Sequence, residues 1–121
     1  MIRRVWRGYA KLGTRRLKAG NLDGAADALF HALGMKEIGR RRQRQVRDAV
    51  VRTLEAMSDQ NVETITKLLA DGDRPAAVLQ VERLISRIQR AREGGVGQAS
   101  LTPVCIKARL LAQQIEGPPA E

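Results

Sequence analysis

Apolar residues recur every three or four positions along almost the whole chain, and no segment alternates apolar with polar as a half-buried strand would. β-Branched residues are scattered rather than clustered. The pattern predicts an all-α protein, a compact bundle of about six helices arranged as antiparallel hairpins, over 2–19, 22–34, 40–57, 60–70, 74–92 and 103–116. Local punctuation supports these ends. Asn21 suits the N-cap of the second helix, and Gly34 suits a left-handed close to it. Ser58 or Asp59 suits the start of the fourth, which Gly72 ends. Asp73 then caps the fifth, with Pro75 in the first turn, where its missing N–H leaves nothing unsatisfied. Thr102–Pro103 repeats that logic for the sixth, and Gly117-Pro118-Pro119 stops it.

Each helix carries an apolar stripe that predicts a core. Val46, Val50, Leu54 and Met57 align on the third. Ala77, Val81, Leu84, Ile88 and Ala91 align on the fifth, and Val104, Ala108, Leu111 and Ile115 on the sixth. In "YAKLGTRRLKAGNLDGAADALFHAL", small and apolar residues fall at Leu12, Gly13, Gly20, Ala25, Leu29 and Ala32. This stretch resembles a tetratricopeptide repeat, in which Gly13 and Ala25 let two antiparallel helices approach closely and Gly20 makes the turn. "LLADGDRPAAVLQVERLI" echoes the turn and second helix with Gly72, Ala77, Val81 and Leu84. The two turn glycines lie 52 residues apart, where that family repeats at about 34. Arg16 stands where the family has an aromatic residue, and Glu37 where it has proline. The resemblance implies a helical hairpin and not a solenoid.

At 121 residues the chain reads as one domain, long enough to bury about two-thirds of its unfolded surface. Aromatics are only 2%, so the core must be built from Leu, Val, Ile and Ala. The lone Cys105 cannot form an internal disulfide, which favours a reducing, cytoplasmic setting. No apolar run approaches the ~20 residues of a membrane-spanning helix. The Arg-rich N-terminus lacks the apolar core of a secretory signal and flows into the hairpin, unlike a cleaved presequence. "EGGVGQAS", 93–100, reads as a flexible linker, and 117–121 as a short Pro-rich tail. The linker lacks the Lys and Ser/Thr of a phosphate-cradling loop.

Catalysis needs converging groups, and few are present. His31 is the only histidine, near the end of the second helix, with no Cys, His or carboxylate at metal spacing. Cys105 reads as a small core residue in the first turn of the sixth helix, beside Val104 and Ile106. Asp23, Asp59 and Asp73 sit at helix starts as caps and dipole partners. No enzyme, cofactor or metal site is expected.

Charge changes the picture most. The formal net charge is +9, and it is segregated. Residues 1–20 carry +7, 40–52 carry +5 and 74–92 carry +4, with net negative segments between and after. Projected on helices, Arg4, Arg7, Lys11, Arg15 and Lys18 fall within about 80° of arc, opposite Ile2, Val5, Trp6, Tyr9 and Leu12. Arg40, Arg44 and Arg47 form a row on the third helix, with Arg41 and Arg52 on a second line. Arg83, Arg87 and Arg90 form a further row on the fifth. A solvated face would interleave Glu with Lys to gain i,i+4 pairs. These rows are almost purely cationic and mostly Arg, the side chain that grips phosphate with two hydrogen bonds. Side chains every ~5–6 Å along such a row match the spacing of phosphates and read no bases. Trp6 and Tyr9 have faces that could stack on bases, but their spacing with Val5 and Leu12 places them in the core.

A basic, all-helical, non-catalytic chain with the rows 40/44/47 and 83/87/90 and the first helix "RRVWRGYAKLGTRRLK" resembles the small subunit of type I CRISPR Cascade complexes. That resemblance implies a helical bundle contacting nucleic-acid backbone, often a displaced DNA strand, beside other subunits or further copies of itself. The expectation is a non-enzymatic subunit that binds single-stranded DNA or RNA by its backbone, with no membrane partner. The alternative is a helical-hairpin adaptor for an acidic protein.

Overall fold

In a computed structural model, which describes residues 2–35 and 38–117, with side chains from Val5 onward, the helical periods become five helices. They are α1 (Ile2–Lys18), α2 (Leu22–Leu33), α3 (Arg40–Ala70), α4 (Arg74–Glu93) and α5 (Gln98–Glu116). Successive helices pack antiparallel, giving a compact all-α bundle. α3 is its spine: α2, α4 and α5 all pack on it, and α4 and α5 pack on each other. α1 lies outermost, packed on α2 and scarcely touching α3.

The expected break at Ser58–Asp59 is absent, and α3 runs unbroken for 31 residues. Neither residue caps. The Ser58 hydroxyl is buried and donates to the Glu55 carbonyl at 2.7 Å, while Asp59 accepts from the Lys107 ammonium of α5. Ile65, fully buried, carries the apolar stripe through the second half. No Gly or Pro falls between Gly39 and Gly72 to stop the helix.

The last helix starts at Gln98 rather than at Pro103. Thr102 does not cap; its hydroxyl donates to the Gln98 carbonyl at 2.9 Å inside the helix. The expected linker shrinks to a turn over 94–97, closed by the Val96 N–H donating to the Ala91 carbonyl. Burial decides the boundary: Val96 and Leu101 are 4% and 0% exposed, so both ends of the segment are pinned in the core. Pro103 costs only one intrahelical hydrogen bond near the start of the helix. Gly34 also departs from expectation, closing α2 at φ −70° in the right-handed region. Its own N–H and that of Met35 satisfy the Phe30 and Ala32 carbonyls, so no left-handed residue is needed there.

The remaining ends follow the sequence. Asn21 caps α2 by accepting from the Gly24 N–H, and Asp73 caps α4 by accepting from the Ala76 N–H. The stripes from Val46 to Met57, Ala77 to Ala91 and Val104 to Ile115 are all buried. The α1–α2 hairpin forms by close approach. A Cβ placed on Gly13 would lie 2.6 Å from Leu29 Cγ, and Ala25 is fully buried. Gly20 turns the chain at φ +80°, a conformation that costs other residues.

Candidate functional site

The face of α1 turned away from α2 is cationic. Arg7, Lys11, Arg15 and Lys18 are all exposed on it, as the helical projection requires. The Arg4 side chain lies outside the described residues. Beneath the row sit Trp6, 7% exposed, and Ala10, partly buried against the core. Val5 was expected in the core but is 47% exposed, because α1 meets only α2 along its length and its flank is uncovered. Tyr9 is half-buried and stacks on the exposed His31 of α2, with ring centroids 5.0 Å apart and planes at 18°. Both aromatic residues of α1 are therefore spoken for by the fold.

Two shallow depressions meet at Trp6 and Arg7. One, of about 560 Å³, runs along α1 past Lys11, Thr14 and Arg15 to Lys18. The other, of about 490 Å³, continues from Trp6 and Arg7 to Gly39, Arg40, Arg41, Arg42 and Gln45 at the start of α3. Together they make one groove with seven cationic side chains and, among the described residues, no acidic one. Its α3 end is positive for a second reason. Gly39 provides no side-chain cap and the first turn of α3 holds no acid, so the helix dipole adds to Arg40, Arg41 and Arg42. Arginine at that end is electrostatically unfavourable by about 0.3–1 kcal/mol each unless an anion is present.

Arg42 is the groove residue that sequence reasoning missed. Its guanidinium lies 5.7 Å from the Trp6 ring centroid, and Nη1 donates to the Ile38 carbonyl at 3.4 Å. The contact ties the start of α3 to α1. A local signal existed only in Arg42 belonging to the same arginine run; its partner Trp6 is 36 positions away.

The other expected rows fare differently. On α3, Arg40 and Arg41 line the groove, while Arg44, Arg47 and Arg52 do not. Arg44 and Arg52 are exposed and Arg47 is half-buried. On α4 the row is divided. Arg87 pairs with Asp23 of α2 at 2.7 Å, and Arg90 lies over the Phe30 ring at 4.7 Å. Arg83 is exposed and has neither an ion pair nor a ring contact with any described residue. Arg87 and Arg90 thus help seat α2 on α4, a contact tightened where Leu33 meets Gly94.

Among the described residues, no three His, Cys, Asp or Glu side chains gather as a metal ion would require, and no helix is long and apolar enough to cross a membrane. With α5 starting at Gln98, Cys105 falls in its third turn rather than its first, beyond the reach of the helix dipole. It is half-buried beside Arg92, whose Nη2 lies 3.9 Å from the sulfur. Comparison of the chain with family models, with curated proteins and with solved structures finds no match.

Proposed function

We propose that this protein is a non-enzymatic nucleic-acid-binding subunit that holds a single strand of DNA or RNA by its backbone along the α1–α3 groove. One observation carries the reading: seven cations from two helices line two open depressions that share Trp6 and Arg7, with no described acid among them. A surface of this kind attracts any polyanion. From Arg7 to Lys18 the row advances eleven residues, or about 16 Å at 1.5 Å per residue. That spans about three phosphates of an extended strand. Trp6 and Tyr9 are engaged within the fold, so binding rests on charge and is indifferent to base identity. A role beside other subunits, as in the Cascade-type assemblies the chain resembles, accords with this reading.

The test is binding of unrelated single-stranded oligonucleotides across a range of salt. The expected result is similar affinity for each sequence and a steep linear fall of log K with log salt. Absence of binding at low salt, by the chain alone and within its assembly, would overturn the reading.

A protein partner is the second reading, and a separate feature favours it. Ala99, Pro103, Ile106 and Leu110 follow i, i+4, i+7, i+11 spacing on α5 and are all exposed, Ile106 by 52% and Leu110 by 58%. An adaptor would keep one specific protein partner at salt concentrations that release nucleic acid.

A further inference from the structure

Where α2, α3 and α4 meet, a small notch of about 70 Å³ is lined by Asp23, Gln60, Asn61, Gln80, Arg83 and Arg87 over an apolar floor. Five of these six side chains carry N–H donors. Among the described residues the Arg87–Asp23 ion pair is the only polar contact within the group. The amides of Gln60, Asn61 and Gln80 and the guanidinium of Arg83 take part in no other hydrogen bond within the described protein. Three helices thus bring two guanidinium groups and three uncommitted amides to one small space.

Size and charge select the occupant. A notch of about 70 Å³ gives room for one tetrahedral oxyanion and does not enclose a sugar or a nucleobase. Two arginines against one carboxylate leave a net positive site, which disfavours a metal cation. The polar lining disfavours an apolar guest. Arginine offers paired N–H groups that match two oxygens of a phosphoryl group, and amide N–H groups can take the remaining oxygens.

We propose that this notch binds a single phosphoryl oxyanion, held by Arg83 and by the edge of Arg87 not taken by Asp23, with Gln60, Asn61 and Gln80 orienting it. The site is separate from the groove and does not depend on it. Asp23 competes with the anion for Arg87, so it sets the affinity from within. The phosphoryl group can belong to inorganic phosphate or to the terminal phosphate of a strand. The second source alone rests on the nucleic-acid reading.

The experiment is a titration of the isotopically labelled full chain with inorganic phosphate, followed by nuclear magnetic resonance at constant ionic strength with chloride as the control. The expected result is saturable shifts centred on the side-chain amides of Gln60, Asn61 and Gln80, absent with chloride. Arg83→Gln should weaken the binding by about tenfold, as loss of a charge-assisted contact does. Asp23→Asn removes the competing carboxylate and should tighten it several-fold, an outcome no purely structural role for Asp23 would produce. Shifts that never saturate, shifts spread evenly along α1, or weaker binding in Asp23→Asn would each overturn the proposal. Oligonucleotides with a 5′-phosphate and with a 5′-hydroxyl separate the sources. Displacement of inorganic phosphate by the phosphorylated strand only identifies a strand end, and displacement by neither identifies the free ion.

Discussion

The cationic rows of α1 and α4 look alike in sequence, yet the fold uses them in opposite ways. Arg7, Lys11, Arg15 and Lys18 face away from every neighbouring helix and line an open groove. Arg87 and Arg90 lie beside α2, where one meets Asp23 and the other the face of Phe30. The difference is made by α2. Toward α1 it presents Leu29 and the small Ala25, which draw that helix in close and leave its outer row of cations unpaired with any described acid. Toward α4 it presents a carboxylate and an aromatic ring. Periodicity places an arginine on a helix face, but the neighbour decides whether that arginine is structural or available.

The contrast is sharpest when the available row is removed. Changing Arg7, Lys11, Arg15 and Lys18 together to Gln should abolish most nucleic-acid binding and flatten the salt dependence by about 3 units, at ~0.7 per single-strand phosphate contact. All four side chains are exposed and none pairs with a described acid, so unfolding by denaturant should be unchanged within about 0.5 kcal/mol. Unaltered binding would move the function away from α1.

A second way to break the comparison is to dislodge the helix that carries the row. Gly13→Val puts a branched side chain where even a Cβ would stand 2.6 Å from Leu29 Cγ. Overpacking of this kind should cost about 2–3 kcal/mol, read by chemical denaturation. Because α1 is held almost entirely by α2, nucleic-acid binding should fall with it. Adding Leu29→Ala opens space at the same contact, so the pair should lose less than the sum of the singles. Full additivity would show that the two residues do not meet.

The structural row should respond in the reverse sense. Arg90→Ala removes the guanidinium over Phe30 and should lower stability by about 0.5–1 kcal/mol. Nucleic-acid affinity should stay within about twofold, since Arg90 does not line the groove. Loss of affinity without loss of stability would return Arg90 to the binding surface.

Much of the fold was legible because an aliphatic core leaves a clean helical period. Val46, Val50, Leu54 and Met57 are buried as their spacing demands, and Asn21 and Asp73 cap as their positions suggest. What was not legible depended on distant partners. Ser58 and Asp59 have the side chains of helix caps, but Asp59 finds Lys107 48 residues away and Ser58 bonds back within the helix. Thr102–Pro103 resembles a helix start, yet burial of Val96 and Leu101 moves that start upstream. The site divides likewise. Exposure of the α1 row follows from one helix's own pattern. Its joining to Arg40 and Arg41 through Trp6 and Arg42 arises only from packing, and so does the capture of Arg87 by Asp23.

The smallest effect separates residues within one row. Arg40, Arg44 and Arg47 share a side of α3 by their i, i+4, i+7 spacing, which predicts that they act together on phosphate. The groove includes Arg40 and its neighbour Arg41 but neither Arg44 nor Arg47. Arg40→Ala with Arg41→Ala should therefore lower the salt dependence by about 1–2 units, while Arg44→Ala with Arg47→Ala should leave it unchanged within about half a unit. Arg44→Ala with Arg47→Ala should shift stability by no more than about 0.5 kcal/mol, because no described acid pairs with either. Removing Arg40 and Arg41 also relieves repulsion with the uncapped N-terminus of α3, so that variant should be the slightly more stable of the two. Equal losses of binding from both pairs would show that the strand follows the arginine row down α3 rather than crossing to α1 at Trp6.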